Sequence, residues 1–134
     1  MATLLSTRER LASIARLLDA ATTDECSDVL VHVIADPDDV VLGLRPLDPH
    51  RHPCEELRGM VAEPHWWAVG LVVHGRARFL DEPDRPPEPI LSTYLVERGG
   101  HETSLLRRGD AVTETTERVE GRLPDLCRAM LGLP

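Results

Sequence analysis

The chain contains no Lys, no Asn and no Gln, so all fifteen of its basic residues are Arg. Those absences remove whole chemistries. A P-loop needs its phosphate-contacting Lys, Schiff-base enzymes need a Lys amine, and papain-like triads use an orienting Asn. A GC-rich coding sequence accounts for this loss together with the scarcity of Ile, Phe and Tyr. Aromatic residues are few, at two Trp, one Tyr and one Phe, and the formal charge is −8. Nucleic acid is therefore not an expected partner, because its binding draws on clustered cations and stacking platforms. Neither a Gly-x-Ser-x-Gly elbow nor a Gly-x-Gly-x-x-Gly loop is present, and no cofactor is expected. The segment Met1–Arg8 lacks an apolar h-region and no stop-transfer run follows, so neither export nor a membrane partner is expected. Cys26, Cys54 and Cys127 are an odd number at irregular spacing, which predicts reduced thiols and a cytoplasmic location.

At 134 residues, with 42% hydrophobic and 28% charged positions, the sequence has the balance of one globular domain over 1–134. Its charge is uneven, since residues 19 to 48 hold eight acids and one Arg. That segment is expected to stay clear of any self-association surface and instead to repel anions or receive a basic protein partner, because like charges repel across a two-fold axis.

Ser6-x-x-Glu9 is a capping box, and Leu11, Ile14, Ala15 and Leu18 follow at helical spacing, predicting a helix over about 7–20. Thr22-x-x-Glu25 repeats the signal, and Cys26, Val29, Leu30, Val33 and Ile34 fall on one stripe of a second helix that must stop by Pro37. The β-branched content makes a strand at 29–34 the alternative. A DNA-reading helix pair is excluded by Asp24, Glu25, Asp28 and Asp36 on the second helix. Val40–Leu44 suits a buried strand, residues 45–54 a surface loop, and Glu55–Ala62 a brief helix. Trp66–Leu80 reads as a strand with a bulge or bend at Gly75, and the prolines of Asp81–Pro89 forbid regular structure. Ile90–Arg98 and His101–Arg108 form a hairpin on a two-residue Gly99-Gly100 turn, which sets Tyr94 opposite Leu105 and Val96 opposite Thr103. Ala111–Glu114 adds a short strand. Pro124 opens a closing helix with Leu123, Leu126, Cys127, Met130 and Leu131 at helical spacing. The resulting expectation is an α+β fold of two N-terminal helices, an antiparallel sheet of four to five strands and a C-terminal helix. PAS, profilin and roadblock domains are similar in general layout, without any of their motifs here.

Three groups of residues are candidates for function. The first is the loop His50-Arg51-His52-Pro53-Cys54, with His65 beyond it. In an extended segment His50, His52 and Cys54 point to one side and suit Zn²⁺ with an open position. The His-x-His-Pro tetrad resembles that of JAB/MPN metalloproteases. Their downstream Ser-x-x-Asp is missing, since no Ser lies between Cys54 and Leu91. The second is a set of arginines, Arg76, Arg78, Arg107 and Arg108, which would bind an anion if brought onto adjoining strands. The third is apolar. Trp66 and Trp67 are neighbours on a strand and must face opposite ways, and Tyr94, Val96 and Leu105 are expected to share one hairpin face that a helix or a second subunit covers. The expected function is a non-enzymatic binding or regulatory module that forms a homodimer through Trp66, Trp67, Tyr94, Val96 and Leu105. The alternative is a small metal-dependent hydrolase built on His50, His52 and Cys54. Cys26 and Cys127 are expected to be buried on their helix stripes, and Cys54 to have polar surroundings.

Overall fold

The computed structural model describes residues 6–36 and 39–134. Helix α1 runs Thr7–Ala21 and opens on the expected capping box: the Glu9 amide donates to Ser6 Oγ at 3.2 Å and the Ser6 amide to Glu9 Oε2 at 3.4 Å. These bonds satisfy two amides that a helix start leaves without partners. At its other end the Thr22 hydroxyl donates to the Leu18 carbonyl at 2.7 Å, so Thr22 ends α1 instead of starting a second helix.

The expected second helix is a strand. β1 (Val29–Asp36) lies between β2 (Asp39–Pro46) and β3 (Ala68–Ala77). Val31 and Val33 point to one side and Leu30 to the other, all fully buried. A strand covered on both faces is hydrophobic at consecutive positions, and such a run also contains a helical stripe. Here the β-branched side chains and two flanking strands decide for the sheet. The remaining elements are α2 (Pro53–Leu57), β4 (Glu88–Glu97), β5 (Glu102–Arg108), β6 (Ala111–Thr115) and α3 (Arg122–Met130). Among the described residues all six strands pair antiparallel in the order β2-β1-β3-β4-β5-β6, so the fold is α+β with one N-terminal helix and one more strand than expected. Helix α2 starts earlier than Glu55 because His52 caps it and Pro53 occupies its first turn. Gly75 pairs with Ile90 in an unbroken register, without the expected bulge.

The β4–β5 turn corrects the hairpin. It has three loop residues, Arg98-Gly99-Gly100, with Glu97 and His101 closing it at 3.1 Å and Gly100 at φ 95°. The Glu97 carboxylate lies inside the turn, accepting from the Gly99 amide at 2.7 Å, the His101 amide at 2.9 Å and His101 Nδ1 at 2.7 Å. Burial alone would push this carboxyl up, yet the two amides and the imidazole hold it below the usual range. The stability it contributes is therefore present at neutral pH and is lost as the pH falls through its lowered pKa. One extra loop residue moves every β5 side chain to the other face. Leu105 faces Thr93, and Tyr94 faces Ser104.

Two cores result. On one face Leu11, Ile14, Ala15 and Leu18 of α1 pack on Val31, Val33, Ala68, Val72, Leu91, Leu95 and Leu105. On the other, Leu57, Cys127, Met130 and Leu131 pack on Leu30, Val69, Leu71, Tyr94 and Val96. Trp67 joins the first core and Trp66 the second, so the two indoles do face opposite ways. Helix α1 lies over β4 and β5, and α3 lies on the opposite face over β3 and β4.

Gly70 marks the tightest backbone approach in the sheet. A Cβ there would lie 1.9 Å from the Tyr94 carbonyl oxygen and 2.5 Å from Leu95 Cδ2, whereas one at Gly75 would meet only Ile90 Cγ1 at 3.8 Å. Gly70→Ala is expected to cost about 2 kcal/mol or more, because strand backbone must move. Gly75→Ala should be near neutral. Urea unfolding of the two variants checks this, and equal losses would show that the approach at Gly70 is not restrictive.

Candidate functional site

The structure distributes the three groups of candidate residues differently from the sequence expectation. In the histidine loop, His52 Nδ1 accepts the Cys54 amide at 3.1 Å as the helix cap, and the Cys54 side chain turns into the protein, 4% exposed. His50, His52 and Cys54 are thus not aligned along an extended segment. Among the described residues, no group of three or more His, Cys, Asp or Glu side chains is placed to hold a metal ion.

The arginines do not meet as a free cluster, because β4 separates β3 from β5. Arg107 pairs with the buried Asp19 of α1 through Nε at 3.2 Å and through Nη2. Arg108 takes both oxygens of Glu88 at 2.8 Å, also contacts Glu82, and lies 4.0 Å over the Phe79 ring. Hydrogen bonds donated to these carboxylates raise both guanidinium pKa values, fixing the charge already assured for Arg. Arg76 reaches the Pro87 carbonyl at 3.4 Å, and Arg78 is exposed. Two of the four expected anion ligands are therefore neutralised by the chain's own carboxylates.

Tyr94, Val96 and Leu105 belong to the chain's own cores and have no surface to offer a partner. Tyr94 donates to Glu102 Oε1 at 2.9 Å. Glu102 also accepts from Arg128 Nη1 at 2.9 and 3.0 Å and from the Val119 amide at 3.1 Å. Burial, then the bond to Glu102, pushes the Tyr94 phenol pKa up. This buried pair docks α3, and removing one member is expected to cost about 3–5 kcal/mol because the other charge is left stranded. Sequence reading missed Glu102 and Arg128, since nothing local in their positions signals a partner 26 residues away.

A groove of about 390 Å³ lies between the Thr23–Asp28 connection and the 47–53 loop, lined by Asp24, Cys26, Asp28, Arg51 and His74. His74 Nδ1 is 3.0 Å from Asp28 Oδ1 and Nε2 is 3.1 Å from the Thr23 carbonyl, which ties the connection to β3. With Asp19 on Arg107 and Asp28 on His74, part of the acidic segment serves internal pairs. Cys26 is exposed in a turn, not buried on a helix stripe, while Cys54 and Cys127 are buried.

The β1–β2 end of the sheet is open to solvent. β2 was expected to be buried, yet it is an edge strand, and among the described residues no strand pairs with its outer side. Its eight residues pair with β1 without interruption, so no bulge turns the edge away. Val41 is 53% exposed on one face and Leu44 54% exposed on the other. Val40 and Leu42 are only partly buried against the α1-side core. Asp39 and Arg45, both exposed, flank the apolar run.

The hydroxyl of Thr23 and then its amide, each 3.4 Å from Cys26 Sγ, lower the thiol pKa, whereas burial pushes Cys127 up to about 12. In native protein at pH 8, a thiol-reactive disulfide reagent should find one fast thiol, Cys26, and the other two only after unfolding. Thr23→Val should move the pH midpoint of the Cys26 reaction upward. Two or three fast thiols would contradict the burial of Cys54 and Cys127.

Comparison of the chain with protein-family models, curated proteins and solved structures finds no match in any of the three.

Proposed function

We propose that the chain is a non-enzymatic binding module that acts by protein–protein contact, with the outer edge of β2 as its recognition surface. One observation carries this reading: an unbroken eight-residue edge strand with apolar side chains exposed on both faces. Such an edge presents backbone donors and acceptors to an added strand, while alternate side chains set specificity. The opposite edge is poorer, since β6 has five residues and its Glu114 is held by Arg16 at 2.8 Å.

The hydrolase reading loses its geometric basis. His52 is committed to capping α2, and Cys54 is buried and turned away from solvent. A water-activating metal needs several convergent ligands with an open position.

Heptapeptides displayed on phage and panned on the immobilised chain provide the test. Sequences of alternating apolar residues should be enriched, and the corresponding synthetic peptides should bind the Leu44→Lys and Val41→Lys variants about tenfold more weakly, as expected for lost contacts at one edge. Absence of enrichment on chain that is monomeric under the panning conditions, or peptides indifferent to both substitutions, would remove β2 as the recognition surface.

A further inference from the structure

Resting on the reading of β2 as a docking edge, we infer that the strand it receives is β2 of a second copy, antiparallel and centred on Leu42. A two-fold axis normal to the sheet keeps both α1 helices on one side of the joined sheet. Such an axis keeps each side chain on its own face, so a residue pairs only with positions of its own parity and the axis must pass between a residue and its own copy. Of the registers that satisfy this, only the one centred on Leu42 sets Asp39 opposite Arg45 of the second copy. It does so twice, once at each end of the seam.

Charge complementarity argues for this occupant. Arg45 is the single basic residue among positions 19 to 48. Asp39 Oδ1 accepts the Val40 amide at 2.8 Å, which holds the carboxylate at the start of the strand and leaves Oδ2 for a partner. Opposite charges directly across an antiparallel pair attract, and like charges repel. The strand is therefore self-complementary despite its acidic surroundings, and the antiparallel arrangement separates the two acidic hairpin ends to opposite ends of the seam. This departs from the expectation that residues 19 to 48 avoid self-association, because Arg45 compensates where the copies meet.

Side-chain sizes agree with the same register. On the α1 face Val40 meets Leu44 of the second copy and Leu42 meets itself, giving a continuous apolar stripe that covers the exposed Leu44. On the other face Val41 meets Gly43 of the second copy. Gly43 has no space for a Cβ, which would lie 2.0 Å from the His32 ring, and that ring is stacked on Trp66 with centroids 4.4 Å apart. The protruding Val41 thus falls on a flat aromatic surface. Trp66 supports the seam from behind, although it is not itself the interface residue the sequence led one to expect.

Sedimentation velocity at micromolar concentration tests the inference with charge exchanges. The wild-type chain should be dimeric. Asp39→Arg alone and Arg45→Asp alone should each weaken dimerisation at least about tenfold, since each sets two like-charged pairs across the seam. Mixing the two variants in equal amounts should restore a dimer, and so should the chain carrying both exchanges. Both sites are exposed, and an unchanged circular dichroism spectrum with cooperative unfolding of the single variants would confirm that folding is intact. Single variants that remain dimeric, or a mixture that remains monomeric, would overturn the register. A monomeric wild type that still binds the edge-dependent heptapeptides would overturn the second copy as occupant and leave β2 as the docking edge. A monomeric wild type that binds none of them would remove both.

Discussion

The Glu97 carboxylate, bound by two amides and one imidazole inside the β4–β5 turn, sets a three-residue loop where two glycines alone would permit two. Much of the tertiary structure follows from that single residue of slack. It places Leu105 beneath α1, turns Arg107 toward Asp19, and brings Glu102 to the opposite face, where Arg128 meets it. A two-residue turn would exchange these faces, burying Leu106 in place of Leu105 and separating both ion pairs from their partners. The hairpin register thus decides where both α1 and α3 dock.

Electrostatics in this chain serves internal placement. Arg107, Arg108 and Arg128 each face carboxylates from elements distant in sequence. Arg suits such sites because its planar fork binds a carboxylate at two points, and here no Lys is available to take the role. The exposed pairs add little stability, whereas the buried Arg128–Glu102 pair fixes one orientation of α3, since any other would leave a charge without a partner. The excess of negative charge at 19 to 48 is correspondingly smaller at the surface than the composition implies.

Outside this internal pairing lies the edge of β2. Helices lie over the β3–β5 region on both faces, while the β1–β2 end carries its apolar residues to the boundary of the sheet. Edge strands are ordinarily blunted by charge, bulges, shortness or cover. β6 is short and bears a tethered Glu, but β2 keeps a long, regular and apolar edge whose two charges lie at its ends. An added strand would satisfy its backbone and cover Val41 and Leu44 together, which is why we propose recognition there and not at the histidine loop.

Sequence alone determined the elements whose bonds close within a few residues. The Ser6–Glu9 box started α1, the paired glycines placed a turn, and the 3.6-residue spacing around Cys127 gave α3. The opposite facing of Trp66 and Trp67 followed from strand geometry. Tertiary structure decided the remainder. β1 carries both a helical stripe and β-branched residues, and its state was settled by burial between β2 and β3. The register of β5 depended on a side chain entering its own turn. The arginines found carboxylates as far as 98 positions away, and Cys54 was drawn inward by a helix that His52 caps. Local hydrogen bonds and periodicity are written into short stretches of chain, but burial, register and ion pairing depend on which distant residues are brought together.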